Sequence, residues 1–283
     1  IYITNEQYFN NVIRGHYVRI ATKDASYTES KVVKENDVVR LVINGEKVVP
    51  MMYLREQTTV FKTRYAEGMA GAGVDLMCLP NCRSYNMNND GSMWTAEDVY
   101  DFSALDGVVY ETLEGAPNAK LMLMLDADPP TWWLNSHRDS RISYKENNAT
   151  KYGVSYASEE WREAVNKYFT ALLEYAMQSP WAGHIFSVKI SAGATFEWQY
   201  YGQTLSQCAD MSAAGLNSFR KWLRAKYGTD EALQKAWGKS GVTIDTVTVP
   251  TFEDRKPTTY ETLLSGKAQR NVIDFHLFMS DMT

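Results

Sequence analysis

Apolar residues in this chain fall into short unbroken runs, separated by longer stretches with helical periodicity. Val74-Asp-Leu-Met-Cys-Leu79, Ala119-Lys-Leu-Met-Leu-Met-Leu125 and His184-Ile-Phe-Ser-Val-Lys-Ile190 are three such runs. A continuous apolar run bounded by turn residues reads as a strand buried on both faces, the habit of parallel sheets covered by helices. The segment Arg40 to Tyr53 holds a further strand, reached through a hairpin turn at Asn44-Gly45, the strongest short-range turn signal. Between the strands the pattern predicts helices over Thr58 to Ala70 and Phe102 to Gly115, and one opening at Ser158-Glu-Glu and running to about Gln178. Ser158 is the N-cap of that last helix, and the two acids favour its first turn. A final helix is expected over Gln269 to Asp281. The polar stretches Pro80 to Thr95 and Asp126 to Ala157 read as loops.

Residues 1 to about 40 differ from the rest. Val12 to Ile20 and Lys31 to Val39 are rich in β-branched residues broken by polar turns, and predict a small N-terminal β appendage over 1–40. Residues 41–283 carry four successive strand–helix units, which imply an α/β fold with a parallel sheet covered by helices. A doubly wound fold would place a Gly-rich phosphate loop after its first strand, and none is present. The long loops follow strands, and the connections from helix back to strand are short. That asymmetry fits the (β/α)8 TIM-barrel type, whose function sits at the C-terminal ends of the strands. Only about the first four βα units are present.

The stretch that carries chemistry is Ser191-Ala-Gly-Ala-Thr-Phe-Glu-Trp198. It sets one carboxylate, Glu197, just after the fourth strand. Small residues ahead of it permit a tight turn, and Trp198, Tyr200 and Tyr201 follow. A carboxyl group among aromatic rings is partly desolvated, which raises its pKa and suits it to donate a proton near neutral pH. Aromatic faces also stack on the C–H faces of sugars. The competing reading makes Glu197 a salt-bridged or helix-capping carboxylate.

Composition narrows the function classes. The formal net charge is −5, and no cluster of Lys or Arg could track a phosphate backbone, so nucleic acid is not an expected partner. No apolar run approaches the ~20 residues that span a bilayer, so no membrane partner is expected. The chain starts at Ile1 with no visible signal peptide, and a secretory leader removed with what preceded it is compatible with that start. Three cysteines, Cys78, Cys82 and Cys208, argue against a disulfide scaffold. Cys78 and Cys82 could pair or bind metal, but a role as small buried apolar residues is the simpler reading. The four His residues are scattered without metal-ligand spacing, so neither metal nor other cofactor is expected.

Two motifs make a resemblance specific. Asp126-Ala-Asp-Pro-Pro-Thr-Trp-Trp133 resembles the segment ending the third strand in clan A glycoside hydrolases of the family 42 β-galactosidase type. Phe219 to Gly238 is similar to that family's helix and loop after the fourth strand. The likeness covers roughly residues 40 to 283. It implies a retaining hydrolase acting on β-linked sugars, with the general acid/base at the end of strand four, which falls on Glu197. Those enzymes usually carry Asn just before this Glu, in contact with the sugar 2-hydroxyl; Phe196 stands there here and marks a divergent relative. Their nucleophilic Glu ends the seventh strand, whereas this sequence stops at Thr283 in a helix following strand four, so the nucleophile is expected in a C-terminal half not included here.

Substrate contacts are expected from Trp132, Trp133, Asp126, Asn81, Arg55, Trp198 and Tyr200. Neighbouring Trp132 and Trp133 cannot face the same way, so one should line the cleft and the other pack. Turn formation around Pro129-Pro130 explains at least one of Asp126 and Asp128. Asn81, with Arg83 and Tyr85, follows strand two and could face the same cleft. Arg55 supports a carboxylate or the sugar, or forms a surface salt bridge. Asp106 and Asp230 look like plain helix-face and turn residues. A half-barrel exposes sheet edges, so pairing with a second copy or with the missing half is expected. The reading of a different class is a non-catalytic carbohydrate-binding or structural half-barrel.

Overall fold

The computed structural model describes residues 27–54, 62–79, 82–83, 93–144, 153–193, 197–198, 200, 209–256 and 264–283. The expected strand Val12 to Ile20 and the start of the helix at Thr58 lie outside them. The chain divides into two compact units, one holding residues up to Pro130 together with Lys167–Ser191, the other Thr131–Asn166 with Ala192–Thr283.

The first unit begins with an antiparallel sheet of β1 (Ser30–Glu35), β2 (Val38–Ile43) and β3 (Glu46–Val48). Its two turns, Asn36-Asp37 and Asn44-Gly45, hold both central residues at positive φ, between 49° and 85°. That geometry matches the twist of a tight hairpin, and Asn, Asp and Gly tolerate it best. Beyond it comes a parallel sheet of β4 (Met52–Leu54), β5 (Leu76–Cys78), β9 (Lys120–Asp126) and β10 (Ile185–Ser191), ordered β10-β9-β5-β4. Each strand lies beside its predecessor in this series, and a helix precedes each of the last three: α1 (Lys62–Gly71), α2 (Ser103–Gly115) and α4 (Glu159–Gln178). Leu121, Leu123 and Leu125 of β9 are fully buried. At one end of the sheet Ile43, Leu76 and Phe186 form a core with Leu41, Val48, Met52 and Met122, joining the antiparallel sheet to the parallel one. The Ser30 hydroxyl donates to the Phe186 carbonyl there. Lys120 donates to Thr28 Oγ1 at 2.9 Å and to the Gly183 carbonyl at 3.1 Å, while burial pushes its pKa down.

Several sequence expectations need correction. β10 is not buried on both faces: Val188 is 41% and Ile190 48% exposed. The reason is its place in the sheet, where β9 is its one strand partner among the described residues. Nor is Pro80 to Thr95 all loop. β6 (Cys82–Arg83) runs parallel to β9, and β7 (Trp94–Ala96) pairs with β8 (Val99–Tyr100) across a turn at Glu97-Asp98. This hairpin is anchored by aromatic packing, with Trp94 stacked on Tyr168 at 5.3 Å and Tyr100 on Phe102 at 5.9 Å. Asp126 to Ala157 likewise contains α3 (Thr131–Ser136) and a 3-10 turn, Arg138–Ser140. Asp106 is not a plain helix-face residue either. It is buried, accepts hydrogen bonds from the Tyr175 hydroxyl (2.5 Å) and Trp181 Nε1 (2.9 Å), and burial raises its pKa.

The second unit is helical: α3, the start of α4, α5 (Ala213–Tyr227), α6 (Asp230–Trp237), α7 (Phe252–Arg255) and α8 (Arg270–Met282). Ser158 caps α4 as expected, its hydroxyl accepting from the Trp161 amide at 3.2 Å. Ser212 caps α5 by accepting from Gly215 N, and Thr229 caps α6 by accepting from Ala232 N. Phe219 meets Phe275 at 5.1 Å and Phe278 at 5.3 Å, which fixes α8 on α5. Asp274 of α8 is fully buried.

Candidate active site

The C-terminal ends of β9 and β10 are tied together. Ala127 N donates to the Ser191 carbonyl at 2.7 Å, and Ser191 Oγ donates to the Leu125 carbonyl at 3.0 Å. In register with Ser191 stands Asp126, and in register with Asp126 on its other side stands Arg83 of β6. Asp126 is fully buried and its Oδ1 accepts from the Asp128 amide at 3.0 Å. That bond is the turn-forming role weighed for this pair, and Asp126 fills it. Asp128 is buried beside it.

Past β10 the chain turns back on itself. The Trp198 amide donates to the Ala192 carbonyl at 2.9 Å, and Trp198 takes φ +59°, a left-handed conformation that a bulky residue rarely adopts. Glu197 lies in the turn this bond closes, and it is exposed. The enclosure by rings expected for it is therefore not observed. The physical reason is where the rings go: Trp198 meets Tyr156 edge-on at 5.7 Å and Tyr200 lies 4.9 Å from the same ring. Trp198 is half-buried; Tyr200 is buried, and its hydroxyl pKa is pushed up by that burial and by the nearby charge of Asp210.

Of the tryptophan pair on α3, Trp133 is the packing member. It is 2% exposed, stacked on His137 at 4.1 Å and edge-on to Trp161 at 4.8 Å. Trp133, expected as a sugar contact, is instead buried by this packing, and half-buried Trp132 is the member with accessible surface. Arg55, Asn81, Tyr85, Tyr201 and Cys208 lie outside the described residues, as do the side chains of Cys82 and Arg83. Cys78 is a buried free thiol whose pKa burial raises. Among the described residues no group of three or more His, Cys, Asp or Glu side chains could hold a metal ion, and no helix is long and apolar enough to cross a membrane.

One buried acid near the Glu197 turn was not singled out from the sequence. Asp210 is 2% exposed; its Oδ2 accepts from the Ser155 hydroxyl at 2.5 Å and its Oδ1 from the Ser212 amide at 2.9 Å. The Ser143 amide approaches Oδ1 at 3.5 Å. Burial raises the Asp210 pKa against these hydrogen bonds, and the same environment raises that of Tyr144. The available signal was Asp210-Met-Ser212 ahead of a helix, which reads as a helix start and nothing more.

A parallel sheet whose strands follow one another in order, with helices between them and carboxylates just past the strand ends, defines an α/β protein of the TIM-barrel type. The comparisons with known proteins agree and go further. The family model of glycoside hydrolase family 42, described as β-galactosidase, matches residues 92–283, and the chain belongs to that family. Among solved structures it is similar to a β-galactosidase of psychrophilic Marinomonas ef1 (20% identity, TM-score 0.55) and to one from Bacillus circulans sp. alkalophilus (22%, 0.56). In both cases 82% of this chain aligns with 32% of the other, so the chain spans about a third of the length of those β-galactosidases. It is also similar to the catalytic domain of a β-amylase from Paenibacillus polymyxa (14% identity, TM-score 0.61), with 82% of this chain matching 60% of that one. At these identities the solved structures show a shared fold. No curated protein matches.

Proposed function

We propose that this chain carries the acid/base side of a retaining glycoside hydrolase acting on β-linked sugars of the galactoside type, with Glu197 as the general acid/base. The observation that carries the reading is the position of Glu197: an exposed carboxylate in a closed turn just past β10, the fourth strand of a sequentially ordered parallel sheet. In the first half-reaction Glu197 protonates the leaving glycosidic oxygen while a second carboxylate, ~5 Å away, attacks the anomeric carbon. In the second, Glu197 takes a proton from the water that hydrolyses the glycosyl-enzyme. This reading takes the four strand–helix units as half of a barrel and assigns the nucleophile to the other half. Trp132 and Trp198, both half-buried, present the sugar platform.

The test is Glu197→Gln in the natural full-length protein. Hydrolysis of β-galactosides with poor leaving groups should fall by about 10²- to 10⁴-fold, the usual contribution of general acid catalysis. Nitrophenyl glycosides, which need less protonation, should suffer less in the glycosylation step. An unchanged rate on the poor leaving group removes Glu197 from the mechanism. The exposure of Glu197 favours one second reading, a carbohydrate-binding protein without turnover. It predicts sugar binding, read by tryptophan fluorescence, that persists in a full-length protein with no hydrolysis at all.

A further inference from the structure

We infer that Asp210 is a positioning residue for Glu197, acting through Ser155 and Tyr156; the inference rests on the reading of Glu197 as acid/base. The Asp210 carboxylate is buried at the entry to α5 and holds the Ser155 hydroxyl at 2.5 Å. The Ser155 amide in turn donates to the Ser140 carbonyl at 2.9 Å, so this short segment is fixed at both its backbone and its side chain. The next residue, Tyr156, supplies the ring on which both Trp198 and Tyr200 pack. Both residues follow closely on Glu197 in sequence, one and three positions after it, and the Trp198 amide closes the turn that contains it. Freeing Ser155 releases the floor under the Glu197 turn.

The chemistry at Asp210 suits a clamp and not a filler. A carboxylate is acceptor-only, and three donors converge on it: the Ser155 hydroxyl and the Ser212 and Ser143 amides. An Asn of the same shape would present its N–H2 group to Ser155, whose hydroxyl would then have to accept instead of donate. Gly215 completes the seat, because a Cβ at that position would lie 2.7 Å from Asp210 Oδ2. Asp274, an equally buried acid of the same unit, makes a useful contrast. Its partners Lys226, Tyr227, Trp237 and Arg270 sit on α5, α6 and α8, away from the Glu197 turn in sequence.

The experiment labels the natural full-length protein with 5-fluorotryptophan and assigns the Trp198 fluorine resonance through Trp198→Phe. Asp210→Asn should shift or broaden that resonance, and Ser155→Ala should move it the same way by less. Asp274→Asn should lower the melting temperature while leaving the Trp198 resonance in place. A Trp198 resonance unmoved in Asp210→Asn, or moved as far in Asp274→Asn, overturns the inference. Should Asp210→Asn fail to fold, Ser155→Ala, which leaves the carboxylate in place, carries the same test with the same overturning result. In the full-length protein Asp210→Asn should lower kcat by about 10- to 100-fold, the cost of a misplaced catalytic group, with KM little changed. If Glu197→Gln leaves hydrolysis unchanged while Asp210→Asn still moves Trp198, the acid/base reading falls and the clamp on the turn stands. If Glu197→Gln abolishes hydrolysis and Asp210→Asn moves neither Trp198 nor kcat, the clamp falls and the acid/base reading stands.

Discussion

Replacing Asp274 with Ala removes the one acceptor that four donors share. Its Oδ1 takes Lys226 Nζ at 2.9 Å and Arg270 Nε at 3.2 Å; its Oδ2 takes the Tyr227 hydroxyl at 2.6 Å and Trp237 Nε1 at 2.7 Å. The four losses are unequal. Lys226 and Arg270 keep 26% and 36% of their side-chain surface in solvent, so water recovers much of what they lose. Trp237 is 6% exposed, and its orphaned Nε1–H costs about 1–3 kcal/mol. Adding the half-buried Tyr227 hydroxyl and the lost charge interactions gives about 3–4 kcal/mol, at the lower end of the 3–5 kcal/mol typical of stripping one partner from a buried ion pair. At roughly 2–4 °C per kcal/mol for a chain of this order, the melting temperature should fall by about 10 °C. Calorimetry and urea unfolding followed by tryptophan fluorescence read the change, with Asp281→Ala as the control. Asp281 bonds Trp222 Nε1 at 2.7 Å on the surface, where such a bond is worth about 1 kcal/mol. If Asp274→Ala costs no more than Asp281→Ala, the assignment of Asp274 as the hub of α5, α6 and α8 is wrong.

Two further outcomes follow from the buried acids. Burial raises the Asp106 pKa in the folded protein, so the native state binds its proton more tightly than the unfolded chain does; the stability this contributes is full below about pH 4 and is lost as pH rises through the folded value. The stability gap between wild type and Asp106→Asn should therefore narrow from about pH 4 to pH 7 in urea titrations, and a gap independent of pH refutes the shift. Gly215→Ala, early in α5, should destabilise by about 1–3 kcal/mol, because the new Cβ would press on a carboxylate already held by three donors. A gain in stability, which helix propensity alone would give, shows that the Asp210 seat yields.

The regular elements were legible where the signal was local. The Asn44-Gly45 turn declares itself because both residues accept positive φ, and they adopt it. Ser158 reads as a cap and acts as one. The β7–β8 hairpin was not legible, because its aromatic residues Trp94 and Tyr100 are held by Tyr168, on a helix far along the chain. The strand of Ile185–Ser191 was legible as a strand but not as an exposed one. An apolar run records that residues prefer burial, whereas Val188 and Ile190 are exposed because of which strands lie beside β10.

The candidate site divides along the same line. Glu197 could be read from its place after a strand, since chain order alone puts it there. Its solvation could not, because that depends on where Trp198 and Tyr200 point, and both turn to Tyr156, a residue from a different loop. Three of the buried aspartates, Asp106, Asp210 and Asp274, show the limit most clearly. In sequence Asp106 and Asp274 are ordinary residues on helix faces and Asp210 an ordinary helix start. Each becomes a structural centre only when donors from distant segments reach it: Tyr175 and Trp181 for the first, Lys226, Tyr227 and Trp237 for the second, Ser155 for the third. A carboxylate taken out of water persists only with such partners. For these three acids, then, burial marks a place where separate segments are held together, and Asp210 is the one whose segments lead to the turn bearing Glu197.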